Sequence, residues 1–246
     1  YSIKRSKSWK DISDRQNNFL NEYIKKMIPE RNKNWLDLGC GSLKLLKSIK
    51  RFQYNGYLGI DIDMNQLIVG LNRIDSYILK SNEQKKAGIR FDESRARIMC
   101  GNLKENLSGS SFVWDNLNEN NNLFIQKFDY VVCNFSISHF ICDQFWENLN
   151  TLTLSGTKLL FNCINEKVIE KPWEFVNENG DLSFVKFENN MVKLKFEFHE
   201  EAIEESYLSS SIIKNYLDKY GWEILLKSTP TGSDLESYYD WYIINK

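Results

Sequence analysis

A short apolar run that meets a Gly-Cys-Gly turn and then continues at helical spacing restricts the fold of this chain more than any other feature. It covers Asn34–Leu46 and reads NWLDLGCGSLKLL. The residues before the turn are typical of a buried strand, and the leucines after it recur as on one face of a helix. Gly39 and Gly41 have no Cβ, so the backbone can turn sharply there and approach a ligand. The segment predicts a strand, a binding turn and a helix.

Strand-like and helical patterns alternate along most of the chain, which favours βαβ units and a parallel sheet. The strand-like runs are Trp35–Leu38, Tyr57–Ile60, Arg97–Cys100, Tyr130–Asn134, Thr157–Cys163, Trp222–Lys227 and Trp241–Ile244. The helical segments are Ile12–Met27, Leu43–Arg51, Asn65–Leu79, Cys142–Leu152 and Ser209–Tyr220. Residues 172–200 change to a period of two and predict an inserted antiparallel hairpin. Ser108–Asn122, rich in Ser and Asn, is typical of a long surface loop.

Length and composition exclude several classes of protein. At 246 residues and 42% hydrophobic, the chain can bury one full core and is expected to form a single domain. Its apolar runs are shorter than the roughly 20 residues of a membrane span. Five scattered cysteines indicate reduced thiols in a cytosolic protein, and two distant histidines disfavour a zinc site. Because the chain begins at Tyr1 without an initiator Met, it is expected to be part of a longer polypeptide.

Charge is distributed unevenly, although the net value is close to zero. Up to Arg51 there are 13 Lys and Arg against 5 Asp and Glu, and the remainder has 19 against 28. Residues 1–30 are interpreted as a basic, helical N-terminal extension. An excess of basic residues up to Arg51 is consistent with a polyanionic ligand, and a solvated helix face explains the charge equally well.

The glycine turn and the acids around it indicate the cofactor. A dinucleotide fingerprint needs a third glycine, but after Gly41 the sequence continues Ser-Leu-Lys, which disfavours a pyrophosphate cofactor. Asp61 follows Gly41 by 20 residues and ends the second strand, where its carboxylate can accept both ribose hydroxyls of an adenosine. Asp37 lies at the end of a buried strand and needs a cationic or hydrogen-bonding partner, which the α-amino group of S-adenosylmethionine would supply directly or through water. The pattern predicts an S-adenosylmethionine-dependent methyltransferase, with another kind of nucleotide-binding fold as the alternative.

Five motifs, LDLGCG, LGIDI, VVCNFSISHF, EESYLSS and YDWYIINK, follow one another along the chain. With them the chain resembles the mRNA cap guanine-N7 methyltransferases, most closely the C-terminal domain of capping enzymes from large DNA viruses of the African swine fever virus type. The resemblance implies an α/β, Rossmann-like class I methyltransferase over residues 1–246. Its sheet is expected to have seven mostly parallel strands, an antiparallel last strand and an inserted β-hairpin.

The resemblance also implies a set of cofactor contacts. The residues are Asn21, Asp37, Gly39, Gly41, Asp61, Asn102, Phe135 and Ser136. Asn21 stands where the family has a lysine, and Asn102 where it has an aspartate that binds the adenine amino group. An amide oxygen can still accept that hydrogen bond. Phe135 and Ser136 are expected to wall the cofactor near the transferred methyl group.

For the substrate, the resemblance implies a guanine pocket. Its residues are Lys44, His139, Phe140, Glu204, Glu205 and Tyr239. Glu205, or Glu204 if the register shifts by one, is expected to read the Watson–Crick edge of guanine. Phosphate binding is assigned to Lys44 or to the basic N-terminal stretch. No residue is expected to act as an acid or base, because guanine N7 has a free lone pair and no proton to lose.

The implied partners and location follow from the same resemblance. They are capped RNA, upstream triphosphatase and guanylyltransferase domains of the same polypeptide, and the cytoplasm of an infected cell or the virion. Neither a membrane nor a metal is expected. Two alternatives are open: a methyltransferase that acts on a small molecule or a protein, and a non-catalytic module that binds the cap or the cofactor.

Overall fold

The computed structural model describes residues 7–49, 52, 54–83, 96–115, 127–197, 201–232 and 234–246. Its helices are α1 (Lys7–Lys26), α2 (Leu45–Ile49), α3 (Met64–Glu83), α4 (Ile137–Phe140), α5 (Asp143–Leu152), α6 (Lys167–Glu170) and α7 (Ser210–Tyr220). Its strands are β1 (Asn34–Leu38), β2 (Gly56–Asp61), β3 (Ala96–Cys100), β4 (Ser111–Asp115), β5 (Phe128–Cys133), β6 (Thr153–Ile164), β7 (Trp173–Val176), β8 (Leu182–Glu188), β9 (Met191–Lys195), β10 (Ile203–Ser206), β11 (Glu223–Ser228) and β12 (Tyr239–Asn245).

Four predicted segments extend beyond the described residues. They are the first six residues of the N-terminal extension, the end of the helix predicted over Leu43–Arg51, the later part of the loop predicted over Ser108–Asn122, and the last three residues of the hairpin predicted over residues 172–200. Among the helices of the described ranges, none has the length and apolar character to span a bilayer.

An eight-stranded sheet forms the centre of the molecule, in the order β11-β12-β6-β5-β1-β2-β3-β4. The five neighbouring strands β6, β5, β1, β2 and β3 run parallel, while β12 is antiparallel to both β6 and β11. This arrangement confirms the predicted Rossmann-like, mostly parallel sheet with an antiparallel last strand. The predicted count of seven strands is one too low, because β4 pairs antiparallel with β3 at the edge.

The additional edge strand lies in the segment whose Ser and Asn content predicts a loop. Its register places Phe112 opposite Met99 and Trp114 opposite Ile98. The guanidinium of Arg97 lies 5.6 Å from the ring centroid of Phe112. Cross-strand pairs between aromatic and large aliphatic side chains stabilise a sheet, so this segment forms a strand although it is rich in Ser and Asn.

A separate antiparallel sheet of four strands follows β6, in the order β10-β9-β8-β7. The hairpin predicted over residues 172–200 is therefore only part of the insertion. β8 and β9 carry the alternating pattern, with Val185, Val192 and Leu194 buried. β10 escapes prediction because its sequence, IEES, has the charge of a solvated surface, yet Glu205 within it is buried.

Helices cover both faces of the main sheet. Apolar side chains of α1, α2 and α3 form one core with residues such as Trp35 and Leu160, whereas α5 and α7 form the other with residues such as Leu36. Because side chains alternate along a strand, Asp37 shares the face of Trp35. The predicted acid therefore lies under α1.

Helix α1 contacts both sheets. The ring of Tyr23 stacks on Trp241 of β12 with a centroid distance of 4.7 Å. Near the other end of the helix, Trp9 lies 4.9 Å from Phe196, which follows β9. These aromatic contacts hold α1 across the carboxyl ends of the central strands.

The beginning of α1 is held by the insertion. Glu178 accepts hydrogen bonds from the backbone N–H of Lys7 at 2.6 Å and from the Ser8 hydroxyl. The Ser8 bond is the main reason why the pKa of Glu178 falls to about 2. The helix begins before the predicted Ile12 because this carboxylate satisfies donors that a helix start leaves open.

Candidate active site

The glycine turn follows β1 as predicted and is braced by Asp61. Gly39 and Gly41 have φ of 65° and 47°, and a Cβ on Gly39 would lie 2.4 Å from Ser136 Oγ. The Gly41 N–H donates to Asp61 Oδ2 at 2.7 Å, and Asp61 Oδ1 accepts from the Asp63 N–H at 2.8 Å. Each carboxylate oxygen retains acceptor capacity for a ligand.

Asp37 is the buried acid of the site. Its side chain accepts a hydrogen bond from the Tyr57 hydroxyl at 2.8 Å. Burial raises the pKa of Asp37 to about 7, although the hydrogen bond from Tyr57 acts in the opposite direction. Nearby, Asn134 Oδ1 is buried and has no hydrogen-bond partner within the described ranges. A ligand ammonium group would satisfy both acceptors.

These groups surround a cavity of about 400 Å³. It is lined by Ser13, Gln16, Asn17, Leu20, Asp37, Gly39, Cys40, Gly41, Ser42, Lys44, Leu45, Gln66, Val132, Asn134 and Phe135. Within the described ranges, and apart from its two chain neighbours, no residue lies within 4 Å of a Cβ placed on Gly41, so a ligand can approach the turn. The lining fits the amino-acid end of S-adenosylmethionine, with Asp61 behind the turn rather than in the lining.

Helix α1 forms one wall of this cavity. The residue of α1 that lines it lies one helical turn before the residue predicted from the sequence. Asn17 lines the cavity, whereas the predicted Asn21 lines a neighbouring groove with Lys47 and Arg73. Four helical residues rise about 6 Å, which is enough to take Asn21 out of the cofactor cavity. Ser13 and Gln16 are further wall residues that sequence reasoning missed.

Two other predicted cofactor residues have local roles in the structure. Asn102 donates to Glu105 Oε1 at 2.7 Å and accepts from the Lys104 N–H at 3.0 Å, so its side chain closes its own turn and lines neither this cavity nor the neighbouring groove. Ser136 donates to the Leu38 carbonyl at 3.2 Å and lies behind Gly39. Ser136 thus supports the glycine turn from outside the cavity.

A second cavity of about 200 Å³ adjoins the first. It is lined by Trp9, Ser13, Gln16, Lys44, Phe135, Ser138, Asn162, Cys163, Ile164, Leu194, Phe196, Glu205 and Tyr239. Phe135 lines both cavities, has a left-handed φ of 58°, and meets Tyr239 edge to face at a centroid distance of 4.9 Å. Such backbone strain in a non-glycine residue is concentrated at functional sites. Phe135 and Lys44 mark the boundary between the cavities.

Glu205 is the acidic group of the second cavity. It is 7% exposed, accepts from the Ser138 hydroxyl, and has Oε2 3.3 Å from His139 Nε2. Burial raises the pKa of Glu205 to about 7, while burial and then the charge of Lys104 lower the pKa of His139. A pKa of about 7 lets Glu205 ionise near neutral pH, whereas the lowered pKa of His139 favours a neutral imidazole, so we interpret the contact as a hydrogen bond rather than an ion pair.

The structure separates the two candidate glutamates. Glu204 is exposed and lies 3.1 Å from Lys193 Nζ, whereas Glu205 points into the cavity. Opposite orientations follow from the alternation of side chains along β10.

Phe140, a predicted pocket residue, lies in the core and lines neither cavity. It is buried with its ring 5.2 Å from Phe145, on the face of the sheet opposite α1. Trp9 and Phe196, which sequence reasoning missed, supply aromatic walls instead. Their only sequence signal is an apolar residue in an amphipathic pattern, which a core residue also gives.

Comparison with known proteins agrees with this geometry. A family model described as "Methyltransferase domain" matches residues 12–227. No curated protein sequence matches the chain significantly. Among solved structures, a S-adenosylmethionine-dependent methyltransferase from Clostridium acetobutylicum is similar with a TM-score of 0.59 and 16% identity, covering 94% of this chain and 91% of that chain.

Two further similar structures have named substrates. One is the glycopeptide N-methyltransferase MtfA complexed with S-adenosyl-L-homocysteine, with a TM-score of 0.57, 12% identity and coverage of 91% of this chain and 86% of that chain. The other is CalS10, a SAM-bound amino pentose methyltransferase from Micromonospora echinaspora, with a TM-score of 0.59, 10% identity and coverage of 94% and 90%. At such low identity these likenesses establish the fold alone. With the family model spanning most of the sequence, the chain belongs to the methyltransferase-domain family and is an S-adenosylmethionine-dependent methyltransferase.

Proposed function

We propose that this enzyme methylates N7 of the guanosine cap of mRNA. The observation that carries the proposal is the buried Glu205 in an aromatic-walled cavity that opens next to the cofactor cavity. A carboxylate in a water-poor pocket accepts hydrogen bonds strongly. It matches the N1–H and 2-amino donors of guanine, and the motifs shared with cap guanine-N7 methyltransferases favour the same substrate.

The reaction demands positioning rather than proton transfer. When bound, S-adenosylmethionine supplies an electrophilic methyl group on a sulfonium. Guanine N7 attacks the methyl carbon with its lone pair, the carbon–sulfur bond breaks, and its electron pair remains on sulfur. Because N7 loses no proton, no general base is required. Holding the reacting atoms in line contributes about 7–11 kcal/mol, and Phe135 lies where the two cavities meet.

The charged groups at the site match the charges of the proposed product, which are a positive methylated guanine and a negative triphosphate bridge. Methylated guanine carries a positive charge, which Glu205 and the faces of Tyr239 and Trp9 would stabilise. Lys44 lines both cavities and would contact the triphosphate bridge. In this proposal the chain is one domain of a larger capping enzyme that includes triphosphatase and guanylyltransferase domains and acts on capped RNA in the cytoplasm.

An amine acceptor is the second candidate. Glu205 and His139, 3.3 Å apart, would bind an ammonium group and remove its proton, which amine methylation requires. The names of two similar structures, a glycopeptide N-methyltransferase and an amino pentose methyltransferase, favour this candidate.

Transfer of a radiolabelled methyl group distinguishes the two candidates. We expect label on RNA with an unmethylated guanosine cap and none on the same RNA carrying an N7-methylated cap, which is the matched control. An amino sugar should remain unlabelled. Equal labelling of both RNAs, or label on the amino sugar alone, would contradict the cap proposal.

Cofactor affinity should depend on the protonation of Asp37. Burial raises the pKa of Asp37 to about 7, so below that pH a proton must leave before the carboxylate pairs with the α-ammonium group. We expect the affinity for S-adenosylhomocysteine to fall about tenfold per pH unit below pH 7. Calorimetry should show weak, pH-independent binding for Asp37→Asn; a flat profile for the wild type would contradict the assignment.

The raised pKa of Asp37 also makes the stability of the ligand-free protein depend on pH, in the direction opposite to cofactor affinity. The folded protein holds the Asp37 proton more tightly than the unfolded chain, whose group has its ordinary pKa of 3.8. The free energy of unfolding without ligand should therefore decrease as the pH rises from about 4 to 7.

A further inference from the structure

Asn162 is a buried amide that lines the second cavity, which we call the acceptor cavity because the proposed function places the methyl acceptor there. Its side chain is 1% exposed, and its Oδ1 accepts from the Phe135 N–H at 2.6 Å. Its Nδ2 is buried and has no hydrogen-bond partner within the described ranges. An unsatisfied buried donor is costly in a folded protein and calls for an explanation.

The strand register places this donor with the other substrate-facing groups. Asn162 lies opposite Trp241, and Ile164 lies opposite Tyr239 in the antiparallel pair of β6 and β12. Residues directly opposite each other, and those two apart on one strand, share a face of the sheet. Asn162 and Tyr239 therefore point to the same side, and both line the cavity that contains Glu205.

The hydrogen bond to Phe135 fixes which end of the amide remains available. The Phe135 N–H needs an acceptor, so Oδ1 is held there and the NH₂ group is left as the unpaired end. The cavity then offers an acceptor at Glu205 and a donor at Asn162.

We propose that Asn162 is a specificity residue, and that its Nδ2 donates to an oxygen on the acceptor ring. The inference rests on the proposed function, in which this oxygen is guanine O6, next to the methylated N7. Adenine has an amino group at that position, so two donors would face each other in a dry pocket. Rejection of adenine would then come from Asn162 as well as Glu205.

Guanosine, 6-thioguanosine and inosine caps test this role. Sulfur in place of O6 weakens the acceptor and leaves the donors for Glu205 unchanged, whereas inosine lacks only the 2-amino group. We expect the wild-type kcat/KM to be about tenfold higher for the guanosine cap than for the 6-thioguanosine cap. In Asn162→Ala and Asn162→Asp, the ratio of kcat/KM for the guanosine cap to that for the 6-thioguanosine cap should fall to about two or less. The ratio for the guanosine and inosine caps should stay unchanged.

Asn162→Asp is the matched variant, because it keeps the side-chain size and an acceptor for the Phe135 N–H. If Asn162 only holds that backbone, Asn162→Asp will retain the full preference for oxygen over sulfur, and the inference is overturned. Equal use of both caps by the wild type would also overturn it, with the proposed function intact. A wild type that methylates no guanosine cap contradicts the proposed function, and the inference fails with it.

Discussion

Glu205→Gln is expected to lower kcat/KM for capped RNA by about 100-fold or more. The variant keeps the shape of the side chain but replaces an acceptor oxygen by a donor that faces the guanine donors. Two hydrogen bonds to a charged group, each contributing about 1.5–3 kcal/mol, are lost or weakened. Methyl transfer under subsaturating RNA measures the effect. The affinity for S-adenosylhomocysteine should remain unchanged, because Glu205 does not line the cofactor cavity.

Glu204→Gln is the natural control for this experiment. Glu204 precedes Glu205 on the same strand, and its exposed carboxylate contacts Lys193 at 3.1 Å. An exposed pair of this kind contributes little, so we expect activity within about twofold of the wild type. A large loss in Glu204→Gln alone would exchange the roles of the two residues. Full activity in both variants would argue against a guanine-reading carboxylate.

Gly39→Ala should destabilise the cofactor-free protein by about 2–5 kcal/mol. An L-residue in the left-handed region costs about 1–2 kcal/mol, and a methyl group 2.4 Å from Ser136 Oγ adds overpacking of about 1–3 kcal/mol. Urea unfolding without ligand measures the loss. The variant that remains folded should bind S-adenosylhomocysteine poorly, because the glycine turn must shift.

Gly41→Ala distinguishes the backbone cost of an alanine at positive φ from the steric cost of the contact with Ser136. Gly41 also has a positive φ, but among the described residues none except its chain neighbours would lie within 4 Å of a Cβ there. We expect only the conformational cost of about 1–2 kcal/mol. Adding Ser136→Gly to Gly39→Ala should recover the steric part of its loss. Equal destabilisation by the two alanine variants, with no recovery, would show that the contact with Ser136 is unimportant.

Residues with strong local signals were predicted well from the sequence. Gly39 and Gly41 interrupt an apolar run, and Asp37 and Asp61 end strands whose pattern is clear. The structure places all four around the cofactor turn. Their positions depend on short-range backbone geometry, which the sequence encodes directly.

Residues that depend on long-range packing were not predictable in the same way. The choice between Glu204 and Glu205 needs the register of β10 with β9, and a charged strand gives no periodicity from which to read it. Trp9 and Asn162 have patterns that a core residue shares, and the assignment of Asn21 misses the cavity by one helical turn. Only the packing of α1 and the insertion against the central sheet determines which of these side chains line a cavity.

The four-stranded insertion has a consequence for how acceptor specificity can change. Residues 167–206 provide Leu194, Phe196 and Glu205 to the acceptor cavity, yet within the described ranges none of them lines the cofactor cavity. These three positions can therefore be altered while every residue that lines the cofactor cavity keeps its identity. Acceptor specificity can therefore evolve through substitutions in the insertion without substitutions among the residues that line the cofactor cavity.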